Sequence, residues 1–229
     1  MTILEGIPMG EFYFEIAMIL RNSLLVSSML CNSEAWYAVS KAELDLLETI
    51  DVQFLRQILR APKTTPKEML FLELGCIPLR ELIRKRRILF LQYIVKESPQ
   101  SMMYKFLEAQ LKDRKDKDWI SLVLRDIQEL KLNLELEDLK KMKNSKLKLI
   151  LNKAVKENAF KELEIKKESQ SKVKHLKHYK LEMQNYLKPN KLKINQEDAQ
   201  AIFKLRSRMT EVKENFKGKY FIHECDLCN

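Results

Sequence analysis

Large apolar side chains recur every three or four residues in three consecutive stretches between residues 19 and 97, the spacing of one helix face. The middle stretch is the clearest. Ser40 stands three residues before Glu43, a capping box in which hydroxyl and carboxylate each accept from a free N–H at the helix start. Leu44, Leu47, Phe54, Leu55, Ile58 and Leu59 follow at helical spacing, with Asp45, Glu48, Asp51 and Arg56 between them. Pro62 is expected to end this helix, because a proline disfavours the α conformation in the residue before it. The stretch before it, about Phe12 to Met29, predicts a stripe of Ile16, Leu20, Leu24 and Ser27. Ser23 and Ser27 are small enough to let a neighbouring helix come close. Asn32 to Trp36 reads as a turn, with Trp36 plugging the seam between the first two helices. After Pro78 a third helix sets Leu82, Ile83, Phe90 and Ile94 on one side. Arg84, Lys85, Arg86 and Arg87 form a basic block inside it, and four consecutive helical residues cannot all face one way.

The pattern weakens downstream. Pro66 opens a short helix that Gly75 closes as its left-handed C′ residue. Glu97-Ser98-Pro99 breaks the chain before a helix of about Ser101 to Leu111, and KDRKDKD reads as a solvated turn. Asp118 is expected to cap a helix with Trp119, Leu122, Val123, Ile127 and Leu130 on its apolar face. A short helix at about Glu135 to Lys141 precedes a lysine-rich one from Asn144 to about Glu168, anchored by Leu147, Leu151, Val155, Phe160 and Leu163. The stretch from Ser169 to Pro189 reads as a linker with some helix. Asn195 then caps a last helix, with Asp198 at the capping-box position. The expectation is an all-α chain divided at 1–97, 98–168, 169–194 and 195–229.

Composition supports that class. Four glycines and six prolines are few in 229 residues, while helix formers abound. No run of about 18 uncharged apolar residues appears, so nothing is expected to span a membrane. Acids near the start, where a secretory signal carries basic residues, argue against such a signal, and four cysteines in a chain of this length fit a reducing, intracellular setting. Charge changes the picture most. Residues 1–60 hold four Lys/Arg and eight Asp/Glu, 61–139 hold 15 and 13, and 140–229 hold 23 and 11. The surplus of positive charge therefore lies in the final third, and a polyanionic partner would explain it.

No catalytic signature accompanies the charge. GxSxG, the Walker A loop and GxGxxG are all absent. Glu197 and Asp198 sit at a helix start, where carboxylates complement the dipole. His175 and His178 lack cysteine or carboxylate support and read as surface residues. In the tail, Lys172, Lys174, Lys177, Lys180, Lys188, Lys191 and Lys193 run past Tyr179 and Tyr186, with Arg206 and Arg208 beyond. Clustered cations neutralise phosphates and neighbouring rings can stack on unpaired bases; the bland alternative is a solvated lysine-rich surface. Cys225 and Cys228 are spaced as one arm of a zinc site, with His223 close by, but four ligands are not present.

Several segments together resemble a known family. RNSLLVSSMLCNSEAW, LDLLETIDVQFLRQIL, TPKEMLFLELGCIPLR and KRRILFLQYI, followed by Asp118-Trp119, MQNYLKPN, AIFKLRSRMTEVKENF and CDLC, resemble the region after the catalytic palm of non-LTR (LINE-type) retrotransposon reverse transcriptases. The resemblance covers nearly the whole chain and is most specific at Ser33 to Trp36, at Glu73 to Pro78 and at Leu205 to Met209. It implies a helical thumb, a basic linker and a zinc knuckle that grip template and primer, with the fingers and palm of the same polyprotein as partner. Cys225 and Cys228 would be the first two zinc ligands of an incomplete site. The Tyr-x-Asp-Asp box that holds the catalytic metal ions in that family does not occur in these 229 residues. The chain then reads as a C-terminal piece of such an element, without catalytic residues of its own.

The functional expectation is binding of template or primer RNA or DNA, in the nucleus. Arg84, Lys85, Arg86 and Arg87 would contact the backbone from the thumb, and the lysines from 172 to 193 with Arg206 and Arg208 from the tail. The alternative is a non-catalytic helical interaction protein or an inactive remnant, with an exposed apolar patch.

Overall fold

A computed structural model describes residues 12–37, 39–169, 181–189 and 194–207, with side chains to residue 165 in the helix that ends at 169. Among these residues the chain is mostly helical and forms no β-strand; an isolated antiparallel bridge pairs Leu74 with Met183. Helix α1 (Tyr13–Leu20) runs through a π-helical segment (Arg21–Val26) into the single turn α2 (Ser27–Met29). A 3₁₀ turn (Ser33–Ala35) leads to α3 (Lys41–Leu59), α4 (Lys67–Leu74) and α5 (Leu79–Lys96). Next come α6 (Met102–Lys112), α7 (Trp119–Glu129), α8 (Leu136–Lys141) and α9 (Asn144–Ser169). A 3₁₀ turn (Asn185–Leu187) and α10 (Gln196–Arg206) follow. None of the described helices is long and apolar enough to cross a membrane.

Local chemistry sets most of the ends. Ser40 Oγ accepts from the Glu43 N–H at 3.2 Å and Glu43 Oε2 from the Ser40 N–H at 2.7 Å, closing the capping box of α3. The stop lies earlier than Pro62. Arg60 adopts φ 47°, and Ala61 donates back to the Arg56 carbonyl at 2.8 Å, a Schellman closure made by an arginine rather than a glycine. Gly75 closes α4 in the same way at φ 65°. Asp118 occupies the N-cap position of α7 but turns its carboxylate to the Lys115 N–H, and Gln110 Oε1 instead accepts from Ile120 N–H at 3.2 Å. Asn195 does cap α10, its Oδ1 accepting from Asp198 N–H at 2.8 Å.

Two compact units interleave along the chain: Met1–Leu20, Val52–Cys76 and Lys166–Asn229 form one, and Arg21–Asp51 with Ile77–Ile165 the other. Each unit thus draws on stretches distant in sequence, where the sequence pattern suggested four consecutive segments. In the first unit α4 is buried from Glu68 to Leu74, on all sides rather than along a stripe. Residues 181–189 belong to this packing instead of forming a free linker. Leu181, Tyr186 and Leu187 are buried, Gln184 N–H donates to the Glu73 carbonyl at 3.0 Å, and Gln200 Nε2 to the Ile58 carbonyl at 3.0 Å. Glu73 is the centre of this arrangement: its fully buried carboxylate accepts from Tyr186 Oη at 2.7 Å and from Arg206 Nε at 3.0 Å.

The second unit has a core of Ile88, Leu91 and Ile94 from α5, Trp119, Ile120, Val123 and Ile127 from α7, Leu139 from α8, and Leu147, Leu151 and Val155 from α9. That gives the lysine-rich helix its packing partner; the fourth anchor is Ala159, with Phe160 only half-buried. A smaller cluster joins Val26, Leu30, Leu79 and Ile83, and Trp36 packs on it beside Leu44 and Leu47, as the turn sequence suggested. The stripe expected for the first helix does not hold. Leu24 and Ser27 are exposed and Ser23 with them, while Tyr13, Phe14, Ala17, Arg21 and Val26 are buried. The π-helical turn shifts the phase of the helix by one residue, and Arg21 enters the interior to bind Asp51 through Nε–Oδ1 at 2.7 Å and Nη2–Oδ2 at 2.5 Å.

Candidate nucleic-acid interface

Helix α5 presents its basic block within the second unit, and three of its four cations are occupied by the protein itself. Arg84, buried, donates to Glu81 and Glu129 and lies 3.6 Å from Asp126 Oδ1 and 3.7 Å from Glu162 Oε1. Arg87 Nε sits 3.3 Å from Asp126 Oδ2. Arg86 donates to the Leu30 carbonyl and Ser33 Oγ, bracing the turn before α3. Arg84, Arg86 and Arg87, expected to contact a nucleic-acid backbone, thus lie against internal groups: carboxylates of residues 81, 126, 129 and 162, the carbonyl of Leu30 and the hydroxyl of Ser33.

This network is unusual in holding more carboxylates than burial favours. Burial pushes the Glu81 carboxyl up to about 7, against the pull of Arg84, and Glu162 adds like charge. Burial likewise raises Asp126 to about 6, opposed by Arg87 and Arg84 and reinforced by Glu129. Glu81 Oε2 has no hydrogen-bond partner among the described residues.

Lys85 differs from its neighbours. It is half-buried on α5 with no carboxylate partner among the described residues. Burial first, then the Lys148 ammonium on α9 and the Arg86 guanidinium, hold it below the ordinary lysine value. It marks the edge of a larger feature outside the residues expected to bind. Residues 140–156 hold seven lysines and no Asp or Glu, and all seven side chains are exposed. The apolar anchors of α9 face the core, so Lys146, Lys148, Lys153 and Lys156 are left on the outer surface of a fixed helix. Lys96 extends the feature from α5, its Nζ donating to the Met142 carbonyl at 2.6 Å and to Asn144 Oδ1 at 3.0 Å. The signal is legible in sequence as an acid-free run of charge on a lysine-rich helix.

The tail residues fall differently. Lys188 is half-buried in the first unit, and Arg206 binds Glu73 and lies over the Tyr186 ring at 5.4 Å, a structural role. Lys172, Lys174, Lys177, Lys180, Lys191, Lys193 and Arg208 lie outside the described residues, as do Cys225 and Cys228. Among the described residues no group of three or more His, Cys, Asp or Glu side chains could hold a metal ion. No protein-family model, curated protein or solved structure matches the chain.

Proposed function

We propose that this protein binds RNA or DNA through its phosphates and without catalysis, as the resemblance to the post-palm region of non-LTR reverse transcriptases implies. One observation carries the reading: the acid-free run of seven exposed lysines at 140–156, four of them on the packed helix α9, met by Lys85 on α5, which has no carboxylate partner among the described residues. Like charges assembled on a rigid surface repel one another, and phosphates with their released counterions offset that repulsion. The lysines of the tail, from 172 to 193, would extend the grip, and zinc held by Cys225 and Cys228 with further ligands would be the family's cofactor.

The test is binding of a labelled RNA hairpin and a DNA duplex across a salt series. Four to six neutralised phosphates give a log–log slope of about −4 to −5 on duplex DNA. Replacing Lys146, Lys148 and Lys153 by Gln is expected to flatten that slope by about one for each lysine engaged, with equal effect on unrelated sequences. Absence of binding to either probe at low salt, by protein whose circular dichroism is unchanged, refutes the reading. The alternative of a helical interaction protein rests on an apolar cleft in the second unit.

A further inference from the structure

That cleft, of about 280 Å³, opens where the turn after the Ser33–Ala35 segment, α5, α6 and the start of α7 come together in the second unit. We infer that it takes one unpaired nucleobase, so that the nucleic acid proposed above is bound at a single-stranded position; the inference rests on that reading and sharpens it. Four rings supply the walls: Tyr37, Phe90, Phe106 and Trp119. Two of them are fixed. Trp119 donates its indole N–H to the Glu34 carbonyl at 2.8 Å, and Phe90 meets the Trp119 ring edge-to-face with centroids 5.7 Å apart. Tyr37 and Phe106 stay largely exposed, at 64% and 58%, a large aromatic area left in water.

Polar groups on the lining choose between occupants. Gln110 uses its Oε1 on the Ile120 N–H, which leaves its amide N–H₂ without a partner among the described residues. Asp118 uses one carboxylate oxygen on the Lys115 N–H and keeps the other. The Lys117 ammonium adds an exposed cation. A donor, an acceptor and a cation around a ring-lined slot match the edge of a base, which carries donors beside acceptors, and the phosphate attached to it. An aliphatic or aromatic peptide anchor would fill the slot but leave all three groups unanswered. Size agrees, since the cleft is smaller than the roughly 300–1,000 Å³ that encloses a drug-sized ligand.

The experiment uses the full chain carrying Trp36→Phe, which leaves Trp119 as the sole indole. Three probes are titrated at one salt concentration: an eight-residue oligoadenylate, the same length of abasic sugar-phosphate, and a blunt duplex. The oligoadenylate is expected to quench Trp119 emission and to bind at least about fivefold more tightly than the abasic strand, the range stacking on one aromatic site gives. Tyr37→Ala and Phe106→Ala, exposed positions that leave the core alone, are expected to abolish that margin without altering the salt slope. Equal affinity for oligoadenylate and abasic strand, with steep salt dependence retained, overturns the base site while phosphate binding stands. A concentration-dependent dimer in sedimentation that Tyr37→Ala dissociates assigns the cleft to a second copy, and also overturns it. If none of the probes binds at low salt, both readings fall together.

Discussion

Glu81→Gln tests whether the buried network of α5 is charged at the expense of stability. Glu81 is 1% exposed; its Oε1 accepts from Arg84 and, at 3.2 Å, from Asn158 Nδ2, while Oε2 has no hydrogen-bond partner among the described residues. Burial raises its carboxyl from 4.5 to about 7, with Glu162 adding to the rise and Arg84 opposing it. A raised acid keeps its proton in the folded protein after the unfolded chain has lost it. This contribution to stability is therefore full below pH 4.5 and disappears as pH climbs through 7. At 1.36 kcal/mol for each pKa unit the whole effect is about 3 kcal/mol, of which about 2.5 kcal/mol falls between pH 5 and 8. Asp126, raised to about 6, declines in the same direction at lower pH and remains in the variant. Glutamine keeps the acceptor for Arg84 and cannot ionise, so urea denaturation followed at 222 nm should give near-equal stabilities at pH 5 and an advantage of about 1–3 kcal/mol for the variant at pH 8. The comparison cancels the titrations of groups that do not interact with Glu81. Parallel profiles for variant and wild type across pH 5–8 would refute the reasoning.

Two further outcomes follow from the first unit. Tyr186→Phe removes one donor from the fully buried Glu73 carboxylate, and urea denaturation should show a loss of about 1.5–3 kcal/mol; a loss under 0.5 kcal/mol would mean that residues 181–187 contribute little to the packing. Gly75→Ala places a Cβ 2.3 Å from the Met183 backbone nitrogen at φ 65°, so it should destabilise by more than about 2 kcal/mol and expose the amides around the Leu74–Met183 bridge to hydrogen exchange.

Local signals in the sequence translated well into structure, and long-range ones did not. Ser40 with Glu43, Gly75 and Asn195 each act within a few residues, so the rules of helix ends were enough to place them. Trp36 was placed correctly because a lone indole after a turn has few other apolar surfaces to reach. The partners of Arg84 are not legible locally, because Glu129 and Glu162 lie far along the chain and nothing in a basic block announces them. The same holds for Arg206, whose carboxylate partner stands 133 residues earlier. The first helix lost its stripe to a π-helical turn, which breaks the period on which such stripes are read. The acid-free lysines of 140–156 were present in the sequence, but only the packing of Leu147, Leu151 and Val155 shows that a rigid helix displays them.

The interleaving of the two units also sets an order of events during synthesis. Glu73 leaves the ribosome long before the residues that satisfy it: Tyr186 follows 113 residues later and Arg206 133 residues later. At translation rates of about 5–20 residues per second, that interval is roughly 6–27 s. Throughout it the α4 segment, buried on all sides in the folded unit, lacks both residues 181–187 and the cation that pairs with its acid. A nascent chain halted anywhere between residues 76 and 186 therefore carries an uncovered segment for a chaperone to shield.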